Sequence, residues 1–133
     1  MVLRYKDNGQ IIEIVIHVLM GNKESFEAGI VYLILSKNPE EALKSLAEFF
    51  HVETPRLSVG MPKRHMKDAG CYVSIKKTIF VSNRDNLYNP FVILHEFYHH
   101  LRTHNAKHLG TEKYANRFAE KYIEAYKKTA SSI

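Results

Sequence analysis

Residues 93–101 read ILHEFYHHL, and the spacing of the two histidines around the acid decides how the rest of the chain is read. On an α-helix advancing about 100° per residue, His95 and His99 stand roughly 40° apart and one turn along, so both imidazoles can reach one ion. Glu96 falls to one side of them. Leu94, Phe97 and Leu101 form an apolar stripe on the other side, so the histidine pair points away from the main packing. This is the H-E-x-x-H arrangement, in which two neutral imidazoles hold Zn²⁺ and the neighbouring carboxylate faces a water on the ion. Zinc lowers the pKa of that water to about 7, and the carboxylate takes its proton as general base. Composition alone would produce such a match by accident with a probability of roughly 4%. The apolar stripe opposite the pair is more than an accident requires.

Two imidazoles need a third protein ligand, and His100, His104, His108, Glu112, Glu120 and Glu124 lie downstream. On a wheel of the last helix, Ala115, Phe118, Ala119, Tyr122, Ile123 and Tyr126 define an apolar arc, and Glu112 falls inside it. Glu120 and Glu124 fall with Lys113, Arg117 and Lys121 and read as solvated charges. A carboxylate on a buried face is costly unless it is paired or bound to metal, which makes Glu112 the expected ligand. The rival reading is an acid placed in a first helical turn by the helix dipole. Asn116, one turn further on, is placed to accept the Nδ1 proton of a ligating histidine and fix its ring; the alternative is a polar residue at the edge of the core. His100 is expected to be exposed on the Glu96 flank, His104 and His108 to lie in a polar surface loop, and Cys71 to be a small buried thiol.

Working outward, Asn89-Pro90 supplies an N-cap and a first-turn proline for a helix from the motif's entry to about Thr103, and Gly110-Thr111 restarts a final helix to about Lys128. Upstream, Pro55 and Pro62 bracket RLSVGM, and CYVSIKKTIFVS alternates around Lys76-Lys77, which predicts three short strands including a hairpin. Pro39 with Glu40 and Glu41 starts a helix through PEEALKSLAEFFHV, and Asn22 or Ser25 starts another to Ser36. Ile11, Ile12, Val15, Ile16 and Leu19 recur at helical spacing, so a helix is expected there as well, although their β-branching after the DNG turn would also suit a strand. The expected class is α+β: a small three-stranded sheet with a hairpin on the motif's helix, a C-terminal helix bearing Glu112, and N-terminal helices. One domain over residues 1–133 is expected, with an N-terminal extension at 1–36 and a catalytic core at 37–128.

A chain of 133 residues with 45% apolar content can bury one core. Lys plus Arg outnumber Asp plus Glu by 19 to 14, a formal net charge of +5, but the basic residues are scattered rather than gathered into a track for nucleic acid. With one cysteine the chain can form no internal disulfide and no Cys-rich zinc site. The apolar runs at 11–20 and 26–35 are each far shorter than the roughly twenty residues a membrane span needs. With no signal-peptide pattern after Met1, the expected location is the cytoplasm.

GCYVSIKKTIFVS, followed by NPFVILHEFYHHL and then EKYANRFAEKYI, resembles the minigluzincins, minimal zinc peptidases, and more loosely the ImmA/IrrE-type peptidases. The likeness covers roughly residues 40–128. It implies a Zn²⁺ held by His95, His99 and Glu112, with Glu96 as general base. It also implies a short sheet above the active-site helix, whose edge strand, within residues 71–82, would bind an extended peptide by main-chain pairing. Arg102 and Asn105 stand where a metzincin would carry Gly and a third His, and one cysteine cannot supply the Cys-rich element of a SprT-like protease. Tyr72, Tyr98 and the loop histidines are the candidates for stabilising an oxyanion.

The expectation is therefore a zinc metallopeptidase acting on a peptide or protein substrate, with no membrane partner and with nucleic acid disfavoured. The rival is a regulatory or binding module on the same zinc scaffold that acts through a protein partner, the apolar N-terminal region serving as a docking or homodimer surface. A nucleic-acid binder with incidental histidines ranks last.

Overall fold

The computed structural model describes residues 2–7, 10–15, 23–104 and 112–131, with side chains described from residue 23 onward. Its class is α+β, with four helices and a three-stranded mixed sheet among the described residues. Helix α1 (Lys23–Leu35) carries FEAGIVYLIL, apolar at nearly every position, and it buries Phe26, Ala28, Ile30, Val31, Leu33 and Ile34. A helix that is apolar around most of its circumference belongs in the middle of a core. Helix α4 (Glu112–Ser131) lies against α1 and presents Ala115, Ala119, Tyr122 and Ala125, a stripe at helical spacing. Helix α2 (Pro39–Phe50) begins with the expected proline and acidic pair, and ends where His51 takes a left-handed conformation at φ 57°. Aromatic rings bind these helices together, with Phe26 stacked 4.4 Å from Phe49, and Phe50 within 6.1 Å of Phe97 and 6.0 Å of Phe118.

The sheet comprises β3 (Arg56–Val59), β4 (Gly70–Val73) and β5 (Thr78–Val81) in the order β3-β5-β4. β5 is central, parallel to β3 and antiparallel to β4. Ile79 and Val81 of β5 are completely buried, as a central strand requires. β4 and β5 form the expected hairpin, turning at Lys77 with φ 48°. This order leaves β4 at an edge, against α3 (Pro90–Thr103). α3 starts as its sequence predicts: the Asn89 side-chain oxygen accepts from the amides of Phe91 at 3.0 Å and Val92 at 3.4 Å, and Pro90 needs no donor there.

The N-terminal region departs from the reading given above. In place of a helix from Ile11, β1 (Val2–Asp7) and β2 (Gln10–Val15) pair antiparallel from Val2 opposite Val15 to Asp7 opposite Gln10. Ile11, Ile12, Ile14 and Val15 are β-branched and stiff at χ1, and together with the turn signal that preference overrides a helical spacing carried by few positions. Residues 16–20 of that expected helix lie outside the described residues. The second N-terminal helix, expected between Asn22 or Ser25 and Ser36, is α1. Among the described residues no helix is long and apolar enough to cross a membrane.

One buried charge sits in this helical layer. Glu27 on α1 is 4% exposed, with the Lys121 ammonium of α4 at 3.3 Å. Burial raises its carboxyl above the ordinary range, and Lys121 only partly opposes that. A folded-state pKa above the unfolded value means the folded chain holds this proton more tightly, so the group's contribution to stability is lost as pH rises through the folded pKa. Glu27→Gln should therefore be more stable than the parent in urea at pH 7, and the advantage should vanish at about pH 4, where the carboxyl is largely protonated in both states. A variant less stable than the parent at pH 7 would show that the Lys121 pair outweighs the burial cost.

Candidate metal centre

His95 and His99 leave α3 on one face, and the start of α4 crosses over them. The His95 Nε2 atom lies 2.8 Å from Glu112 Oε2, His99 Nε2 lies 3.0 Å from Glu112 Oε1, and the two imidazole Nε2 atoms are 3.3 Å apart. These three side chains form the one group of metal-ligating type found among the described residues. Zinc with ligands at about 2.0–2.1 Å in a tetrahedron separates neighbouring donor atoms by about 3.3 Å, so the donors stand close to the edge lengths of such a site. The donor chemistry points the same way. His95 Nδ1 lies 2.9 Å from Asn116 Oδ1, an acceptor, so the ring's proton is on Nδ1 and its Nε2 lone pair faces the Glu112 carboxylate. Two acceptors 2.8 Å apart repel each other unless a cation, proton or metal ion, lies between them. Burial also pushes the His99 imidazole below its ordinary value, against the pull of Glu112, which favours the neutral form that ligates metal.

The route by which Glu112 reaches this position differs from the sequence argument. Its side chain is 76% exposed rather than set in the buried arc, because it is the first residue of α4 and the buried stripe begins only at Ala115. A helical wheel gives direction around the axis and says nothing about where along the axis the core begins. Glu120 and Glu124 are exposed, as expected.

Glu96 stands beside the triad and apart from it, its Oε2 3.9 Å from His95 Nε2 and its residue 7% exposed. Its carboxyl is pushed up to about 7, first by burial, then by the negative charges of Glu112 and Asp68, while the Tyr72 backbone N–H that it accepts works in the opposite direction. All these groups open onto one cleft of about 770 Å³, floored by α3 from Phe91 to Thr103 and walled by residues 68–72. Gly70 lets the wall come close: a Cβ there would lie 2.7 Å from Val92 Cγ1 and 3.2 Å from the Phe80 carbonyl oxygen. Ser82 donates to the Ala69 carbonyl at 2.9 Å, so by the alternation of an antiparallel ladder Gly70 and Tyr72 turn their main-chain groups away from β5.

His100 is the clearest correction. It is completely buried instead of exposed, with Nδ1 2.7 Å from the Tyr72 hydroxyl and Nε2 2.6 Å from the Glu53 carbonyl oxygen. The flank of α3 assigned to solvent is covered by β4 and by the segment after α2. Sequence reasoning also missed His65 and Asp68, which line the cleft and pair at 3.0 Å; the signal available was H-x-x-D spacing on a single turn. His104 is exposed, and His108 and Asn105 lie outside the described residues. Cys71 is a free, buried thiol in the cleft wall, raised in pKa chiefly by burial, and it is not part of the donor group. Of the oxyanion candidates, Tyr98 is buried against Phe118 at 5.5 Å, and the Tyr72 hydroxyl is engaged by His100. Arg102 lines the same cleft. No family model, curated protein or solved structure matches the chain.

Proposed function

We propose that this chain is a zinc-dependent peptidase of H-E-x-x-H type. The observation that carries the reading is the convergence of His95 Nε2, His99 Nε2 and the Glu112 carboxylate within hydrogen-bonding distances of one another, with Glu96 beside them in the same cleft. A zinc ion bound there would polarise a carbonyl and make a water acidic near neutral pH. His95 and His99 supply neutral nitrogen donors, Asn116 holds the His95 ring in the ligating tautomer, and Glu112 supplies negative charge. Glu96, its carboxyl raised towards neutrality, takes the proton of the attacking water and returns it to the leaving amine. In this reading α3 is the active-site helix, β4 and β5 form a roof over it, and the outward main-chain groups of β4, apart from the Tyr72 N–H that serves Glu96, pair with an extended peptide. One free buried cysteine suits a reducing compartment, and the reading places the chain in the cytoplasm.

The test combines metal analysis with cleavage. The purified chain should carry one equivalent of zinc and cut members of a random peptide library. Removing zinc with a chelator should abolish cutting, and zinc should restore it. One equivalent of zinc with no cleavage of any peptide would favour the binding-module reading over this one.

A further inference from the structure

Tyr72 faces α3 at two points. Its main-chain groups turn away from β5 by the alternation of the ladder, which leaves its N–H as a donor for the Glu96 carboxylate, and its hydroxyl lies 2.7 Å from Nδ1 of His100, one helical turn further along. The protonation pattern follows from the partners. The Glu53 carbonyl oxygen, 2.6 Å from His100 Nε2, can only accept, so Nε2 carries the hydrogen, Nδ1 accepts, and the Tyr72 hydroxyl donates. His100 is thus fixed on both sides, once by the segment following α2 and once by β4. A histidine at 0% exposure with both nitrogens engaged is a rigid anchor. Two residues before Tyr72, Gly70 brings β4 against Val92 and the Glu96 Cγ atom on the same flank. An edge strand is held by one neighbouring strand only, so its position over α3 depends on such contacts.

We propose that His100 and the Tyr72 hydroxyl are positioning residues: they set the β4 backbone so that the Tyr72 amide aims the Glu96 carboxylate into the cleft. Neither touches the substrate in this account, and both act through Glu96. The importance for catalysis rests on the peptidase reading above, whereas the positioning itself is readable without it.

The test therefore has two arms, using Tyr72→Phe, which keeps the ring, and His100→Gln, which offers the Glu53 carbonyl a donor and the Tyr72 hydroxyl an acceptor. The first arm is NMR of the full-length chain, following the amide proton of position 72. In Tyr72→Phe that amide should exchange with solvent about tenfold faster, the equivalent of losing one typical hydrogen bond, and its resonance should move towards its position in Glu96→Ala, where the acceptor is gone. His100→Gln should lie between Tyr72→Phe and the parent. In the second arm, at equal zinc content, Tyr72→Phe should lower kcat about tenfold with KM little changed. An amide at position 72 that exchanges and resonates as in the parent overturns the inference, whether or not the chain cleaves peptides. Loss of kcat only in step with the folded fraction would make the pair merely structural and overturn it too. If the amide responds while the parent cuts no peptide, the positioning stands and the peptidase reading falls.

Discussion

Glu96→Gln should keep its zinc and lose its hydrolysis. Oε2 of Glu96 is 3.9 Å from His95 Nε2 and lies outside the donor group, so an amide in its place withdraws nothing from the metal. Glutamine has the same shape and its side-chain oxygen can still accept the Tyr72 amide, so the burial of residue 96 and the placement of β4 are preserved. What disappears is the ability to take and return a proton at neutral pH. General acid–base groups contribute typically about 10² to 10⁴ in rate, and kcat/KM should fall by a factor in that range or larger. Metal analysis and kinetics on the same preparation make the check. If the variant with one equivalent of zinc cleaves within a few-fold of the parent, Glu96 is not the base and the mechanism fails at its centre.

The parts of this site that the sequence reveals are those governed by one helix's period. His95 and His99 are neighbours because 3.6 residues make a turn, and no other part of the chain is needed to bring them together. Asn116 follows at second remove: one turn beyond Glu112, it meets His95 as soon as α3 and α4 lie side by side. The sequence argument for Glu112 rests on a premise of burial that the structure reverses, since only the tertiary arrangement tells where α4 enters the core. His100 shows the same limit more sharply. Its burial depends on Glu53, far away in sequence, and on an edge strand arriving along α3, and nothing within its own helix encodes either. In the fold, the capped helices and the hairpin were legible because Asn89, Pro90, Pro39 and the Lys76-Lys77 turn act locally. The first strands differ from the helix expected there because helical spacing and β-branched content disagree over the same few residues.

Glu112→Gln should release the metal without weakening the metal-free fold. The Glu112 side chain is 76% exposed, so exchanging its charge for an amide disturbs no core packing. In the absence of metal the change should even relieve a conflict, because the glutamine amide can donate to the His95 lone pair that now faces a carboxylate 2.8 Å away. With metal the balance reverses, since the site would offer two neutral imidazoles and no charge to a divalent cation. Disturbing an outer partner of a ligand costs about 10- to 100-fold in metal affinity, which is the expectation for Asn116→Ala; removing the charged ligand itself should exceed it. Zinc competition against a chelating dye should therefore rank the parent above Asn116→Ala, and Asn116→Ala above Glu112→Gln. Thermal unfolding gives the independent check. At a free zinc level of about 100 times its Kd the parent gains about 2.7 kcal/mol over its metal-free form, and Glu112→Gln at the same zinc should gain almost none. Metal-free Glu112→Gln should melt at or above the metal-free parent. Unchanged zinc affinity in this variant would mean that another group completes the site, and the proposed coordination would have to be abandoned.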